Sequence, residues 1–172
     1  SVVLEDLLEV PEKGSLRYQK AFETAMLRLK KTKEANVSFY ELLLLDSTGK
    51  VIASSNEKNI GLDRSTDAYF LGGQERVYIK DAYFNDTLNE FLFAVSAPVL
   101  DRDKNQTIGV IVARVKLNHL YDIVTERLGL GNTEEVYIVN KYGYMITPSR
   151  FLKNTFLKQQ VNSKGYRDSF LY

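Results

Sequence analysis

ELLLLDSTGKVIASS (residues 41–55) is two short apolar runs around a tight turn. Residues 40–45 make the first run. Asp46-Ser47-Thr48-Gly49 then offers a carboxylate that can bond the backbone ahead of it and a glycine free to take positive φ. Residues 50–54 return as a second strand, so the phrase predicts a β-hairpin. The chain writes it again as EVYIVNKYGYMITPS (residues 135–149). The offset is 135 − 41 = 94, which brings Glu41 onto Glu135, Gly49 onto Gly143 and Ser55 onto Ser149.

Ahead of the first hairpin, residues 1–35 predict helix. Ser15 follows Gly14 as an N-cap, and Tyr18, Phe22, Ala25, Met26 and Leu29 then mark one face. Three lysines (Lys30, Lys31, Lys33) crowd the end that the helix dipole favours for cations, and Asn36 is a stop. Val2, Val3, Leu4, Leu7 and Leu8 suggest an earlier helical piece, broken near Pro11 and Gly14. The aromatic stripe is three turns long and is expected to pack on the chain's own sheet. Behind the hairpin, residues 59–73 predict a loop with one helical turn near 67–71. Strands follow at 77–84, 90–100 and 107–115, then a helix at 117–128. Three consecutive strands joined by short polar turns argue for an antiparallel sheet.

Composition narrows the function. The 172 residues are 44% hydrophobic, enough for a packed core. Lys and Arg number 23 against 22 Asp and Glu, and the two signs are interspersed, unlike the basic footprint of a nucleic-acid binder. The absence of cysteine excludes disulfides and thiolate metal sites and leaves the compartment open. The apolar run at residues 108–113 falls far short of the roughly 20 residues of a membrane helix. No secretory leader is legible at the start, and the segment reads as soluble.

Several stretches resemble the extracytoplasmic Cache family of PAS-like sensor domains. LLLLDSTGKVIASS is similar to the family's opening strand pair, DRSTDAYF (residues 63–70) to its loop motif, and VYIKDAYF (77–84) to the next strand. FAVSAPVLDRDKNQTIGVIVARVKLNHL (93–120) resembles the two strands and helix that follow. The resemblance implies an α+β fold, with a long N-terminal helix packed on a central antiparallel sheet of about five strands. A helix and a second, incomplete PAS-like unit follow. It implies an N-terminal helical region (1–36), a membrane-distal unit (37–117), a connecting helix and linker (118–134), and a partial membrane-proximal unit (135–172). It also implies a ligand-sensing segment of a membrane receptor, outside the membrane and tethered by flanking helices, with a histidine kinase as the favoured host. Chemoreceptor and cyclase hosts, or a ligand-free dimerisation module, are the alternatives.

No catalytic set is legible. His119 stands alone, and no zinc site, P-loop, dinucleotide fingerprint or nucleophile elbow occurs. No cofactor is expected. Three Asn-x-Ser/Thr triplets, at Asn36, Asn85 and Asn105, point outside the cell only weakly. Residues 63–96, however, interleave aromatic and polar side chains, the mixture that small-molecule sites use. The candidate ligand-binding residues are Arg64, Asp67, Tyr69, Phe70, Tyr78, Asp81, Tyr83, Asn85, Phe93 and Ser96. The loop at 59–73 is long enough to serve as a lid. Amino-acid-binding Cache domains carry Arg-x-Trp-Tyr where this chain has Asp67, Ala68, Tyr69 and Phe70, and an acidic residue where it has Asn85. The aromatic character survives and the charged positions do not, which argues against an α-amino acid held in that manner. Asp67 and Asp81 facing a pocket would favour an amine; Asp67 capping the helical turn or pairing with Arg64 would be structural; Arg64 turned inward would hold a carboxylate. The ligand is a polar or charged small molecule of either sign. A homodimer is expected in the full receptor, and nucleic acid is not a partner.

Overall fold

The structure, a computed structural model, describes residues 2–9, 14–86, 88–103, 106–119, 121–122 and 131–162. Helix α1 spans Val2–Glu9 and α2 spans Leu16–Ala35. Ser15 Oγ accepts the Tyr18 N–H at 3.2 Å, and the Asn36 N–H closes the last turn onto Lys33 O. Both ends fall where the capping residues predict. Five strands follow: β1 (Phe39–Asp46), β2 (Val51–Ser54), β3 (Tyr78–Asn85), β4 (Glu90–Leu100) and β5 (Thr107–Lys116). Between β2 and β3 lie a 3-10 turn, Glu57–Asn59, and helix α3, Ala68–Gly73.

The strands form one sheet in the order β2-β1-β5-β4-β3. β1 is antiparallel to both β2 and β5. One face of the sheet carries α1 and α2. Leu7, Ala21, Ala25, Met26 and Leu29 are buried there against Leu42, Leu44, Ile52, Val99 and Ile108, with Tyr18 and Phe22 partly buried at the edge. Each large aliphatic side chain buried this way contributes about 1.5–3 kcal/mol, so the helical stripe is committed to its own sheet. Arg102 Nε donates to Glu5 Oε2 at 2.9 Å and ties α1 to the turn after β4.

β2 and β3 are opposite edges of the sheet. The segment joining them must therefore cross a face, and with one face taken by α1 and α2, α3 lies on the other. Gly73 shows it: a Cβ there would stand 2.6 Å from Ser96 Oγ and 2.7 Å from Val110 Cγ1. The loop expected as a lid is divided by the structure. Its first part pairs along β2: Val51 N–H donates to Leu62 O, Gly61 N–H to Val51 O, and Arg64 N–H to Gly49 O. Only the α3 part lies over the sheet. These backbone bonds leave no mark in the side-chain pattern.

The chain forms two compact units, Ser1–Lys80 with Phe93–Val115, and Asp81–Leu92 with Lys116–Tyr172. The second holds the repeated phrase. Its expected hairpin is reduced to one isolated bridge, Val139 with Met145, and a further bridge joins Tyr144 to Gln160 beyond the phrase. The hydrogen bonds nevertheless repeat. In the first copy Thr48 and Lys50 N–H donate to Asp46 Oδ1; in the second, Tyr142 and Tyr144 N–H donate to Asn140 Oδ1. Gly49 and Gly143 sit at φ 88 and 81. Val51 N–H reaches Leu62 O, and Met145 N–H reaches Gln159 O. Of the helix expected at 117–128, residues 117–119 and 121–122 are helical and the remainder lies outside the described residues, as does the break near Pro11.

Candidate functional site

In the first unit, the path into α3 is set by backbone. Gly49 has φ +88, and a Cβ on it would stand 2.5 Å from Ser65 Cα, so only glycine allows the loop to close on the hairpin turn. Asp63 Oδ1 accepts the Ser65 N–H at 2.8 Å, which holds the Asp63 carboxyl below its usual range. Asp67 then takes the N-cap position of α3, but its side chain makes no capping bond. Its Oδ2 accepts the Tyr69 hydroxyl at 2.7 Å. Arg64 Nη1 and Lys80 Nζ each stand 3.8 Å from the same carboxylate. Lys80 Nζ also lies 5.4 Å from the Tyr69 ring centroid. Asp67 is thus held between two cations rather than spent on the helix.

Tyr69 and Phe70 are each only 3% exposed. Burial, followed by the Asp67 hydrogen bond and charge, pushes the Tyr69 phenol far above its ordinary value, while Arg64 and Arg114 pull the other way. Arg114 belongs to a second, buried group. Its Nη1 donates to Glu41 Oε2 at 2.9 Å, and its guanidinium lies 5.0 Å from the Tyr40 ring centroid. Glu41 is fully buried and also accepts from Ser54 Oγ at 2.8 Å and from Asn59 Nδ2. Arg64, Lys80 and Arg114 thus stand with the carboxylates of Asp67 and Glu41 around a buried phenol.

Tyr78 and Ser96 complete the seat of α3. The Tyr78 ring fills the space a Gly72 side chain would need, with ring atoms 2.4 Å from a Cβ placed there. Ser96, 1% exposed, donates its hydroxyl to Tyr78 O at 3.4 Å. Phe93 is an odd number of positions from Ser96 on β4, so alternation turns it to the opposite face. Asp81, Tyr83 and Asn85 fall in the second unit, out of phase with Tyr78 and Lys80 along β3. Asp81 Oδ1 accepts the Ala82 N–H at 2.8 Å, Asn85 Oδ1 accepts the Leu88 N–H at 3.0 Å, and Tyr83 is half-buried. The structure therefore gathers Arg64, Asp67, Tyr69, Phe70, Tyr78 and Ser96 in one unit.

Sequence reasoning overlooked Lys80, Arg114 and Glu41. Each had a signal: Lys80 alternates with Tyr78, Arg114 interrupts an apolar strand, and Glu41 opens the repeated phrase. A cavity of about 240 Å³ also opens on this unit, lined by Ser47, Gln74, Thr107, Gly109 and Val110. None of the expected ligand residues lines it. Among the described residues no cluster of three or more His, Cys, Asp or Glu is placed to hold a metal.

A five-stranded antiparallel sheet with a long helix on one face and a short crossing helix on the other is the architecture of Cache sensor domains. The Cache domain model matches residues 2–169, and the chain belongs to that family. It is a sensor domain rather than a catalytic one. It is 27% identical over 142 residues to sporulation kinase D of Bacillus subtilis (strain 168), covering 81% of this chain and 27% of the kinase. The sensor domain of the Vibrio cholerae histidine kinase DctB matches with a TM-score of 0.55 at 22% identity, over 70% of this chain and 45% of that one. The ligand-binding domain of the Pseudomonas aeruginosa PAO1 amino acid chemoreceptor PctC, solved with GABA, matches with a TM-score of 0.56 at 16% identity, over 91% and 66%. The chain thus spans about a quarter of the curated kinase and under half of the DctB domain. No helix among the described residues is long and apolar enough to cross a membrane.

Proposed function

We propose that this chain is the extracytoplasmic ligand-sensing region of a membrane receptor whose output is a histidine kinase, and that it binds a small organic acid on the α3 face of its first unit. The observation that carries the reading is the Asp67 carboxylate at 3.8 Å from both Arg64 and Lys80 beside the buried Tyr69. Arg64 and Lys80 already converge on one carboxylate, and the same two donors can hold a second from a ligand. Tyr69, Phe70 and Tyr78 supply apolar wall, and Ser96 a neutral polar group. GABA, named with the PctC domain of similar fold, carries a carboxylate together with an amine, so a carboxylate ligand is compatible with this fold.

Tyr69 and Phe70 are sealed against the sheet, so a ligand enters only if α3 moves. A ligand shifts that equilibrium by its differential affinity for the open and closed arrangements. In this reading residues 37–117 are the membrane-distal unit and residues 135–172 the membrane-proximal one. The movement passes from α3 through the sheet to α2, and a receptor dimer, tethered by helices outside this chain, carries it across the membrane. The sensor of a chemoreceptor would bind in the same way and differ only in output.

A thermal-shift screen of small carboxylates, amines and sugars tests the binding. At a hundredfold excess over Kd a carboxylate should stabilise the fold by about 2.7 kcal/mol. Arg64→Ala and Lys80→Ala should each remove that shift while leaving the unliganded melting temperature within a few degrees. Stabilisation by amines and not by acids would reverse the assigned sign. A shift that survives both substitutions would place the ligand elsewhere.

A further inference from the structure

The two copies of the hairpin share their backbone bonds but not their surface chemistry. The first leaves its second strand through Asn56, Glu57, Lys58 and Asn59, polar residues of mixed sign. The positions 94 further on are Arg150, Phe151, Leu152 and Lys153. The loop at 149–158 is well anchored on its inner side. Ser149 N–H donates to Thr155 Oγ1 at 3.2 Å, Ser149 Oγ accepts the Phe151 and Leu152 N–H groups, and Phe156 stacks on Phe91 with ring centroids 3.5 Å apart. Its outer side is open: Phe151 and Leu152 are each 55% exposed and Leu157 38%. The loop packs inward through the partly buried Phe156, and these three side chains take no part in that contact.

The exposed apolar groups are flanked in sequence by basic residues, with the Glu135 carboxylate accepting the Arg150 N–H behind them. Lys153 and Lys158 are exposed and make no ion pair among the described residues. Arg150 lies 5.8 Å from the Phe151 ring centroid and donates to Gly131 O and Glu134 O. From residue 136 to 162 there are four basic residues and no acidic one, whereas the rest of the chain has 23 − 4 = 19 basic against 22 acidic. The segment is +4 in a chain otherwise at −3.

We propose that the loop at 149–158 docks on the surface of an anionic phospholipid bilayer. Such a surface rewards both halves of the pattern. Phe151, Leu152 and Leu157 gain by entering the boundary between headgroups and acyl chains, and Lys153 and Lys158 lie at the depth of the phosphates with their methylene stems along the apolar layer. An acidic protein face or a nucleic acid would answer the charge and leave the three apolar side chains without a partner. The docking is independent of any ligand on the first unit.

Cosedimentation of the 172-residue chain with vesicles tests it. Phosphatidylcholine vesicles containing about 30% phosphatidylglycerol should pellet the chain, and pure phosphatidylcholine should bind it about tenfold more weakly or worse. Binding should weaken as salt rises above about 0.15 M. Lys153→Glu with Lys158→Glu, and separately Phe151→Ser with Leu152→Ser, should each weaken binding about tenfold, while circular dichroism stays unchanged because all four side chains are exposed. Failure to bind anionic vesicles, binding by either double variant as tight as that of the unsubstituted chain, or self-association of the chain that these substitutions abolish would overturn the proposal.

Discussion

Asp67 shows how far a local rule reaches. It stands at the N-cap of α3, where an aspartate is expected to cap, and it does not cap. Its partners are Tyr69 two residues on, Arg64 three residues back, and Lys80 on the far side of the crossing. Lys80 is brought up by the sheet, and no local pattern announces it. The Glu41–Arg114 pair has a measurable consequence. Arg114→Ala leaves a fully buried carboxylate short of its charged partner and should destabilise the fold by about 3–5 kcal/mol in urea denaturation. Glu41→Leu with Arg114→Met should recover most of that loss, because replacing both members of a buried pair by apolar groups is often near neutral. The Tyr69 phenol gives a pH signature. Its folded value lies above the unfolded one of about 10, so both states keep the proton below that pH and stability is undiminished. Above about pH 10 the unfolded phenol ionises first, and stability falls as pH rises. Tyr69→Phe should flatten that alkaline decline, and at neutral pH should cost about 1 kcal/mol for the lost hydrogen bond to Asp67.

At the scale of elements, α3 is held against the sheet by the absence of side chains. Gly72→Ala would drive a methyl into the Tyr78 ring and should cost about 1–3 kcal/mol. Gly49→Ala adds backbone strain at φ +88 to a collision with the Ser65 backbone, and should cost more than Gly72→Ala in the same denaturation experiment. The elements themselves were largely legible. Caps at Ser15 and Asn36, the apolar stripe of α2, the Asp46–Gly49 turn and all five strands follow from side-chain pattern and turn chemistry. What stayed hidden was made by backbone alone: the pairing of residues 61–64 along β2, which turns half of an apparent lid into a sheet edge. The candidate site was legible where aromatic and polar residues sit close in sequence, as in Asp67, Tyr69 and Phe70. It was not legible where strand alternation decides. Phe93 turns away from Ser96, and Lys80 rather than Asp81 keeps the phase of Tyr78.

For the whole molecule, the repeated phrase is the organising fact. Its second copy keeps the Asn140 turn bonds and the Gly143 backbone of the first, and differs on the loop that follows. One phrase thus occurs in both units, with different surface chemistry on the loop that follows. The central claim is that the first unit senses a small organic acid on its α3 face. Backbone amide NMR of the chain, titrated with GABA and a panel of small carboxylates, tests it most directly. A binder should shift the amides of residues 64–80 and of Arg114, in the same order of affinity as the thermal shifts. No perturbation by any acid, or shifts confined to the cavity at Ser47, Gln74 and Thr107, would contradict it.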